Sequence, residues 1–131
     1  MDPDLERGVR RAYAALAAGD IETAMASFAP DIEMVNPEYA IESGVRRGLD
    51  SMREGLQNLY EQFNYESLEI LEIDEGPNGL LVVARLRATG RASGVPIDET
   101  FTHVFGLRDG QVVNYRWFRT REEGLEAAGL V

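Results

Sequence analysis

His103 is the only histidine of the 131-residue chain, and Trp117 is its only tryptophan. Both lie in the stretch FTHVFGLRDGQVVNYRWFR, residues 101–119, on either side of an Asp-Gly pair. A neutral imidazole with a pKa near 7 can take or give a proton during a reaction. A tryptophan ring offers a flat apolar wall with one hydrogen-bond donor. These residue types are typical of acid-base chemistry on an apolar molecule, and equally of a packed core.

The length of the turn decides which side chains share a face with His103, because side chains alternate along a strand and a one-residue slip reverses them all. A two-residue Asp-Gly turn places His103 opposite Arg116 and spreads the aromatic rings over both faces. A three-residue loop that includes Arg108 pairs His103 with Tyr115 and brings Trp117 diagonally beside it. We expect the second arrangement because it favours burial. It gathers on one face Phe101, His103, Phe105, Leu107, Val113, Tyr115 and Trp117.

A histidine on that face would be partly desolvated, which disfavours its charged form. Glu99, on the same face of the strand, is the nearest candidate partner and would raise the imidazole pKa instead. The sequence leaves the balance between these effects open. It also leaves open a purely structural histidine that is hydrogen-bonded to Tyr115, Tyr13 or a backbone carbonyl.

Apolar residues at helical spacing predict three helices in the first half of the chain. The first spans about 3–17 and stops at Gly19. The second starts at Asp20, as its N-cap, and cannot pass Pro30. A short strand follows at 31–36, and residues 37–49 read as a loop that could contain an extra hairpin. Asp50 is predicted to cap the third helix, which ends near Asn64.

The second half of the chain has the pattern of a sheet. Strands are predicted at about 66–75, 79–91, 96–107 and 111–119. A last short helix begins at a capping box formed by Thr120 and Glu123, and Gly129 ends it. Helices followed by strands predict the α+β class, and the chain has no linker or repeat that would divide it, so one domain, 1–131, is expected.

Composition limits the function classes. With no cysteine and one histidine, the chain offers neither a thiolate nucleophile nor the usual zinc ligands. A formal charge of -10 disfavours nucleic acid as a partner. No segment is long and apolar enough to cross a membrane, and the charged amino terminus does not resemble a signal peptide. We therefore expect a cytoplasmic protein that binds neither nucleic acid nor membrane.

Four segments together resemble the SnoaL-like proteins of the nuclear transport factor 2-like superfamily. They are LAAGDIETAMASFAPDIEMVNP, RRGLDSMREGL, HVFGLRDGQVVNYRWF and TREEGLEAAGL. The resemblance implies three amino-terminal helices packed in the concave face of a strongly curved, mostly antiparallel sheet, which forms a cone with a pocket, and a short carboxy-terminal helix. It also implies a homodimer through the outer sheet face, which polar Thr102, Asn114 and Arg116 would support. The superfamily includes polyketide cyclases, ketosteroid isomerases, limonene epoxide hydrolases, scytalone dehydratases and non-catalytic domains, so the fold does not name a reaction.

The working residues of the steroid isomerases match this chain only in part. Their helix tyrosine matches Ala12, with Tyr13 next to it. Their proton-carrying aspartate matches Asn36, an amide that can orient a substrate or a water but cannot shuttle protons. Their second acid, which hydrogen-bonds the developing enolate, matches His103.

The other two catalytic sets of the superfamily are also incomplete here. The SnoaL cyclases have a histidine at the position of His103 and an acid-base aspartate where this chain has Trp117. The tyrosine, asparagine and aspartate that hold water in the epoxide hydrolases match Met34, Asn36 and Trp117. His103 and Asn36 are what remains of these sets.

The resemblance and the residues together predict a cofactor-free and metal-free site for a small, largely apolar or aromatic, possibly cyclic molecule. His103 would carry protons and Asn36 would orient substrate or water, in an isomerisation, an aldol-type cyclisation or a dehydration. The alternative is a non-catalytic ligand-binding or dimeric scaffold protein, because Asn36 and Trp117 replace the usual acids. The predicted lining comprises Tyr13, Met34, Leu56, Tyr60, Glu99, Phe101, Tyr115, Trp117 and Arg119.

Two arginines could change that lining. Arg85 and Arg87 alternate with apolar residues on the strand 79–91, and the simplest register turns them outward. A one-residue shift in the loop at 92–95 would turn both into the pocket, where they could bind a carboxylate.

Overall fold

Four helices and six strands make up residues 1–40 and 44–131, the part of the chain that this computed structural model describes. The helices are α1 (Pro3–Ala18), α2 (Ile21–Ala24), α3 (Leu49–Gln62) and α4 (Arg121–Ala128). The strands are β1 (Phe28–Asn36), β2 (Gly44–Arg47), β3 (Phe63–Gly76), β4 (Gly79–Gly90), β5 (Pro96–Arg108) and β6 (Gln111–Phe118).

The strands form one curved sheet in the order β2-β1-β6-β5-β4-β3, with helices α1 to α3 in its concave face. Strands β1 and β6 run parallel, and every other neighbouring pair is antiparallel. The predicted α+β class and its mostly antiparallel curved sheet are confirmed.

Helix α1 begins and ends as its sequence predicts. The side chain of Asp2 accepts a hydrogen bond from the Asp4 backbone N–H, and Gly19 ends the helix in the left-handed conformation that glycine adopts most easily. The inner face of α1 carries Tyr13 onto Leu80, Val82 and Ala84 of β4.

The second helix is shorter than predicted. Asp20 caps it, since its carboxylate accepts from the Thr23 N–H at 3.2 Å, but the helix ends after one turn. It does end before Pro30, as predicted, but well short of that limit, because Phe28 already lies in β1, where it pairs with Val112 of β6. Parallel pairing with the sheet therefore overrides the helical spacing of this segment.

Helix α3 starts two residues earlier than predicted. Gly48, at a φ of 84°, is its N-cap without any side-chain cap, whereas Asp50 lies in the first turn and pairs with Arg53 at 3.0 Å. The extra hairpin is present, because β2 pairs antiparallel with β1 and sets Arg46 beside Met34. Residues 41–43, in the predicted loop, lie outside the described residues.

The three-residue loop that we expected in the β5-β6 hairpin is wrong, because Arg108 already pairs with Gln111. Asp109 and Gly110 form a two-residue turn, and both have positive φ, as a type I′ turn requires. A bulge between the pairs Gly106–Asn114 and Leu107–Val112 then adds one residue to β6. The predicted pairing of His103 with Tyr115 is therefore wrong.

The bulge makes His103 face Trp117 across the hairpin, while Phe105 faces Tyr115. The aromatic side chains still share one face, as burial favours. Before the bulge, Val112 rather than the expected Val113 packs on the core.

The outer face of the sheet is partly covered by α4. Leu81, Val83 and Val104 pack there against Ala128. Thr102, predicted as an exposed polar residue on this face, is only 1% exposed, so it cannot support an interface there. Half of the predicted capping box of α4 is present: Thr120 Oγ1 accepts from the Glu123 N–H, whereas the Glu123 carboxylate accepts from the Thr120 hydroxyl at 2.8 Å. Gly129 follows the last turn, as predicted.

Arg85 and Arg87 lie outside the cone, as the simplest register predicts. Arg85 pairs with Asp98 at 2.7 Å, and Arg87 approaches the same carboxylate at 3.7 Å. Ala84 and Val82, which alternate with them, face Tyr13 in the core.

Candidate functional site

His103 lies in the middle of β5, on the concave face, and is 6% exposed. The hydroxyl group of Tyr13, on α1, makes a short hydrogen bond with its Nδ1 atom. Tyr13 is itself 3% exposed. The sequence named Tyr13 as one of three possible partners, and helix α1 brings it into place because its buried stripe lies directly over β4 and β5.

The hydrogen bond with Tyr13 sets the tautomer of His103. Burial raises the pKa of the Tyr13 phenol well above its usual value, so the phenol keeps its proton and donates it to Nδ1. Burial also lowers the pKa of His103 to about 3. At neutral pH the imidazole is therefore neutral, with Nδ1 accepting and the proton on Nε2.

The second ring nitrogen keeps some access to solvent. Among the described residues, every buried side-chain nitrogen or oxygen has a hydrogen-bond partner. Because the bond with Tyr13 occupies only Nδ1, Nε2 belongs to the small exposed fraction of His103. Nε2 can thus donate a hydrogen bond to an incoming group.

Aromatic rings surround the imidazole on several sides. Phe101, Tyr115 and Phe105 lie 4.8, 5.0 and 5.9 Å from it between ring centroids. Phe105 and Tyr115 stack on each other at 5.0 Å with an interplanar angle of 12°. This aromatic box excludes water from most of the ring and is the physical reason for the depressed pKa of His103.

Glu99 does not act on His103. Glu99 is exposed and lies near the amino-terminal end of β5, four residues before His103. Burial is the cause of the shifted pKa of His103, and the shift is downward, opposite to what a neighbouring carboxylate would produce. The question that the sequence left open is therefore decided in favour of desolvation.

The side chains of Asn36 and Trp117 are hydrogen-bonded to each other. The indole Nε1 of Trp117 donates to the Asn36 Oδ1 at 2.9 Å. Asn36 thus neither caps its own turn nor presents a free carbonyl, although its amide N–H groups remain donors.

Tyr39 covers the outer side of Trp117. Its ring stands edge-on to the indole at 5.5 Å, and the Arg119 guanidinium lies 4.0 Å from its other face. The Arg119 backbone N–H also donates to the Tyr39 hydroxyl at 3.1 Å. Sequence reasoning missed Tyr39, whose only signal was an aromatic residue in a loop that contains Pro37. We call Asn36, Tyr39, Trp117 and Arg119 the mouth cluster.

The remaining predicted lining residues are divided between two places. Met34 and Leu56 pack with Tyr115 on the buried cluster of Met25, Ile32 and Met52, next to the aromatic box. Tyr60 lies elsewhere: its hydroxyl donates to the Leu16 carbonyl at 2.5 Å near the carboxy-terminal end of α1, and its ring contacts Tyr65.

His103 lines neither of two cavities found among the described residues. One, of about 130 Å³, lies beside the amino-terminal half of α1 and has Tyr13 in its wall. The other is an open groove of about 930 Å³ that includes Tyr60 and Arg91. The described residues contain no group of three or more acidic, histidine or cysteine side chains that could hold a metal ion. No helix among them is long and apolar enough to span a bilayer.

The model of the SnoaL-like domain matches residues 9–115. The chain belongs to the SnoaL-like family. That match covers the Tyr13-His103 pair, Asn36 and Tyr115, while Trp117 lies just beyond it. No curated protein matches this SnoaL-like chain.

Solved structures of low sequence identity share the fold over nearly the whole length. An NTF2-like protein of unknown function from Burkholderia pseudomallei is 21% identical, with a TM-score of 0.79 and 97% and 98% of the two chains covered. TerC, crystallised with polyporic acid, is 21% identical, with a TM-score of 0.76 and 95% and 98% covered. A protein from Jannaschia, assigned to the SnoaL-like polyketide cyclases, is 19% identical, with a TM-score of 0.77 and 98% and 94% covered.

Proposed function

We propose that this protein binds a small, largely apolar molecule that carries a carbonyl group, and that Nε2 of His103 donates a hydrogen bond to the carbonyl oxygen. The observation that carries the proposal is the hydrogen bond between Tyr13 and Nδ1 of His103 inside an aromatic box. It fixes a neutral imidazole with its one N–H directed away from Tyr13. Flat rings around that donor favour a planar ligand.

The proposed role of His103 is that of a donor rather than a proton carrier. A group whose pKa is about 3 seldom takes up a proton at pH 7, so it is a weak general base. A neutral imidazole can nevertheless stabilise the negative charge that develops on a carbonyl oxygen when a hydroxide ion from the solvent takes a proton from the neighbouring carbon and becomes water. This role corresponds to the enolate-binding acid that the steroid isomerases have at the matching position.

The reaction class that fits such a donor is proton transfer next to a carbonyl. Isomerisation, aldol-type cyclisation and dehydration all pass through an enol or enolate, and none of them needs a cofactor. The SnoaL-like family and its polyketide-cyclase members support this class. The amide N–H groups of Asn36 would orient the bound molecule at the mouth.

Paired ligands test the binding proposal. Planar aromatic ketones, together with polyporic acid because TerC was crystallised with it, would be titrated by calorimetry against hydrocarbons of the same shape. We expect a His103→Phe variant to bind each ketone about five- to thirtyfold more weakly, since one hydrogen bond from a buried donor contributes roughly 1–2 kcal/mol. It should bind the hydrocarbons unchanged. Equal losses for both ligands, or no loss for the ketones, would contradict the proposal.

A second candidate function is binding without catalysis. The observation that favours it is the Asn36-Trp117 hydrogen bond, because both residues stand where relatives have acids and the amide oxygen is already engaged. Exchange of deuterium from solvent into the carbon next to the carbonyl of a bound ketone separates the two functions. Exchange faster than in buffer that His103→Phe abolishes supports an enzyme, whereas tight binding without exchange supports a binding protein.

A further inference from the structure

The smaller cavity lies beside α1, and no residue of the mouth cluster lines it. It has a volume of about 130 Å³ and is bounded by the amino-terminal half of α1 and by the turn end of the β5-β6 hairpin. Leu5 and Val9 of α1 face Leu107 and Val112 of the hairpin across it. Apolar side chains thus form most of its wall, and the exposed residues Asp4 and Ser27 add polar atoms.

Gly8 lies in the wall of this cavity. A glycine inside a helix is unfavourable relative to alanine, so its presence in α1 needs a structural reason. Gly8 is not in a left-handed conformation, and a Cβ atom built on it would meet no other atom within 4 Å. Close packing explains Gly55 instead, where a Cβ would lie 2.9 Å from the Arg46 Nε. In place of Gly8, a side chain longer than a methyl group would have space to extend beside the cavity.

The inner wall of the cavity connects it to the candidate site. Tyr13 lines the cavity with its ring, while its hydroxyl holds His103. Phe105 also lines it and stands edge-on to Tyr13 at 6.3 Å. A molecule in the cavity would therefore touch the ring that positions the imidazole without touching the imidazole itself.

We propose that this cavity is a second binding site, for a compact apolar molecule of about the size of benzene. A closed cavity of about 150 Å³ lined by apolar side chains binds benzene or xenon. This cavity has nearly the same volume and a mostly apolar wall, but it is partly open to solvent and includes the exposed residues Asp4 and Ser27. The site is separate from the proposed carbonyl site at His103, which lies beyond Tyr13.

Benzene, fluorobenzene and xenon are suitable probes, with binding followed by the methyl NMR signals of Val9, Leu80 and Val112. We expect saturable shifts at these methyl groups, accompanied by a shift of the His103 ring signals through Tyr13. Binding at millimolar concentration or tighter is the expected range for so small a ligand. Failure of all three probes to shift the methyl signals up to their solubility limits would overturn the proposal.

Two substitutions locate the binding. Gly8→Leu should fill the cavity and abolish the shifts, while the matched control Gly8→Ala should raise the thermal midpoint and keep most of the binding. If Gly8→Leu fails to fold, Ala12→Leu, one turn further along the same wall, fills the same space. Probe binding that survives whichever filled variant folds would place the molecule elsewhere and refute the site. Ketone binding at His103 should be retained in the filled variant, which distinguishes this proposal from the one on function.

Discussion

Tyr13 occupies a helix position next to the one that the steroid isomerases use, yet its hydroxyl reaches the histidine on β5. Ala12, at the matching position, lines the smaller cavity instead. The displaced phenol thus serves the imidazole rather than facing an incoming molecule. Spacing from the Gly-Asp pair predicted the displacement, but only the packing of α1 shows that Tyr13 points inward.

Burial of His103 couples folding to pH. The unfolded chain binds a proton at His103 below about pH 6.5, whereas the folded chain does not until about pH 3, so the unfolded state gains protons first as the pH falls. The contribution of the neutral, buried His103 to the free energy of unfolding is therefore complete above pH 6.5 and declines towards pH 3. At pH 5 we expect a loss of about 2 kcal/mol relative to pH 7 in urea unfolding.

The control for this pH effect is His103→Phe, which should make stability nearly constant between pH 5 and 7. His103 is the only histidine, and the carboxyl groups of Asp31, Glu72 and Asp98, whose pKa values their arginine partners lower, lose their stabilising charge only at more acidic pH. If the free energy of unfolding of His103→Phe still falls between pH 7 and 5 as in the wild type, another group is responsible.

Removal of the Tyr13 hydroxyl should destabilise the protein. In Tyr13→Phe the ring stays, but Nδ1 of His103 is left buried without a donor, which costs roughly 1–3 kcal/mol. The matched control is Tyr39→Phe, which removes an exposed hydroxyl and should change stability by less than about 0.5 kcal/mol. Equal urea midpoints for the two variants would mean that the Tyr13-His103 bond contributes no net stability.

At the scale of elements, helix α4 depends on a close approach to the sheet. A Cβ atom on Gly124 would overlap the Cγ2 of Thr102 and come within 3.2 Å of the Leu81 Cδ1. The absence of a side chain at Gly124 is what lets the helix cover Thr102 and Val104. Close packing of this kind leaves no space into which an added methyl group can move.

Gly124→Ala should therefore destabilise the protein by roughly 1–3 kcal/mol, the usual effect of overpacking. Thr102→Ser removes the clashing methyl group, so the double variant should recover part of the loss. A thermal denaturation cycle of the four proteins measures the coupling. Strictly additive effects would indicate that α4 moves away from the sheet instead of pressing on Thr102.

The hairpin shows how much of an element the sequence can specify. Asp109-Gly110 marks the position of the turn, but the favoured three-residue loop was wrong; the apolar pattern did predict that the aromatic side chains share a face. The bulge before Asn114 has no such signal, because it follows from pairing along the whole of β5. The length of the second helix could not be predicted for a related reason. Its apolar residues have helical spacing, but the helix ends early because Phe28 pairs with β6, which is a long-range contact.

At the scale of the whole molecule, the fold was predictable and the site only partly so. Helix caps, turn glycines and the periodicity of apolar residues are local features that a sequence shows directly. A family resemblance also covered nearly the entire chain. The Trp117-Asn36 bond and the cover formed by Tyr39 join residues about 80 positions apart. The position of Glu99 outside the aromatic box likewise depends on tertiary packing that local pattern does not contain.

A homodimer through the outer sheet face stays a prediction. Helix α4 covers one part of that face, so the ion pairs of Arg85 and Arg87 with Asp98 mark the part left for a partner. Sedimentation velocity at micromolar concentration should show a dimer, and Asp98→Arg, which places three like charges together, should weaken it. A monomer at all concentrations would contradict the predicted dimer.

The most direct test is the ring ¹⁵N NMR spectrum of His103 as a function of pH. We predict a single neutral tautomer, with a proton on Nε2 and none on Nδ1, that persists from pH 8 down to at least pH 5. Tyr13→Phe should change the Nδ1 shift, and a bound ketone should change the Nε2 shift. An imidazole that titrates near pH 6.5, or one that carries its proton on Nδ1, would contradict both the buried donor and the function proposed from it.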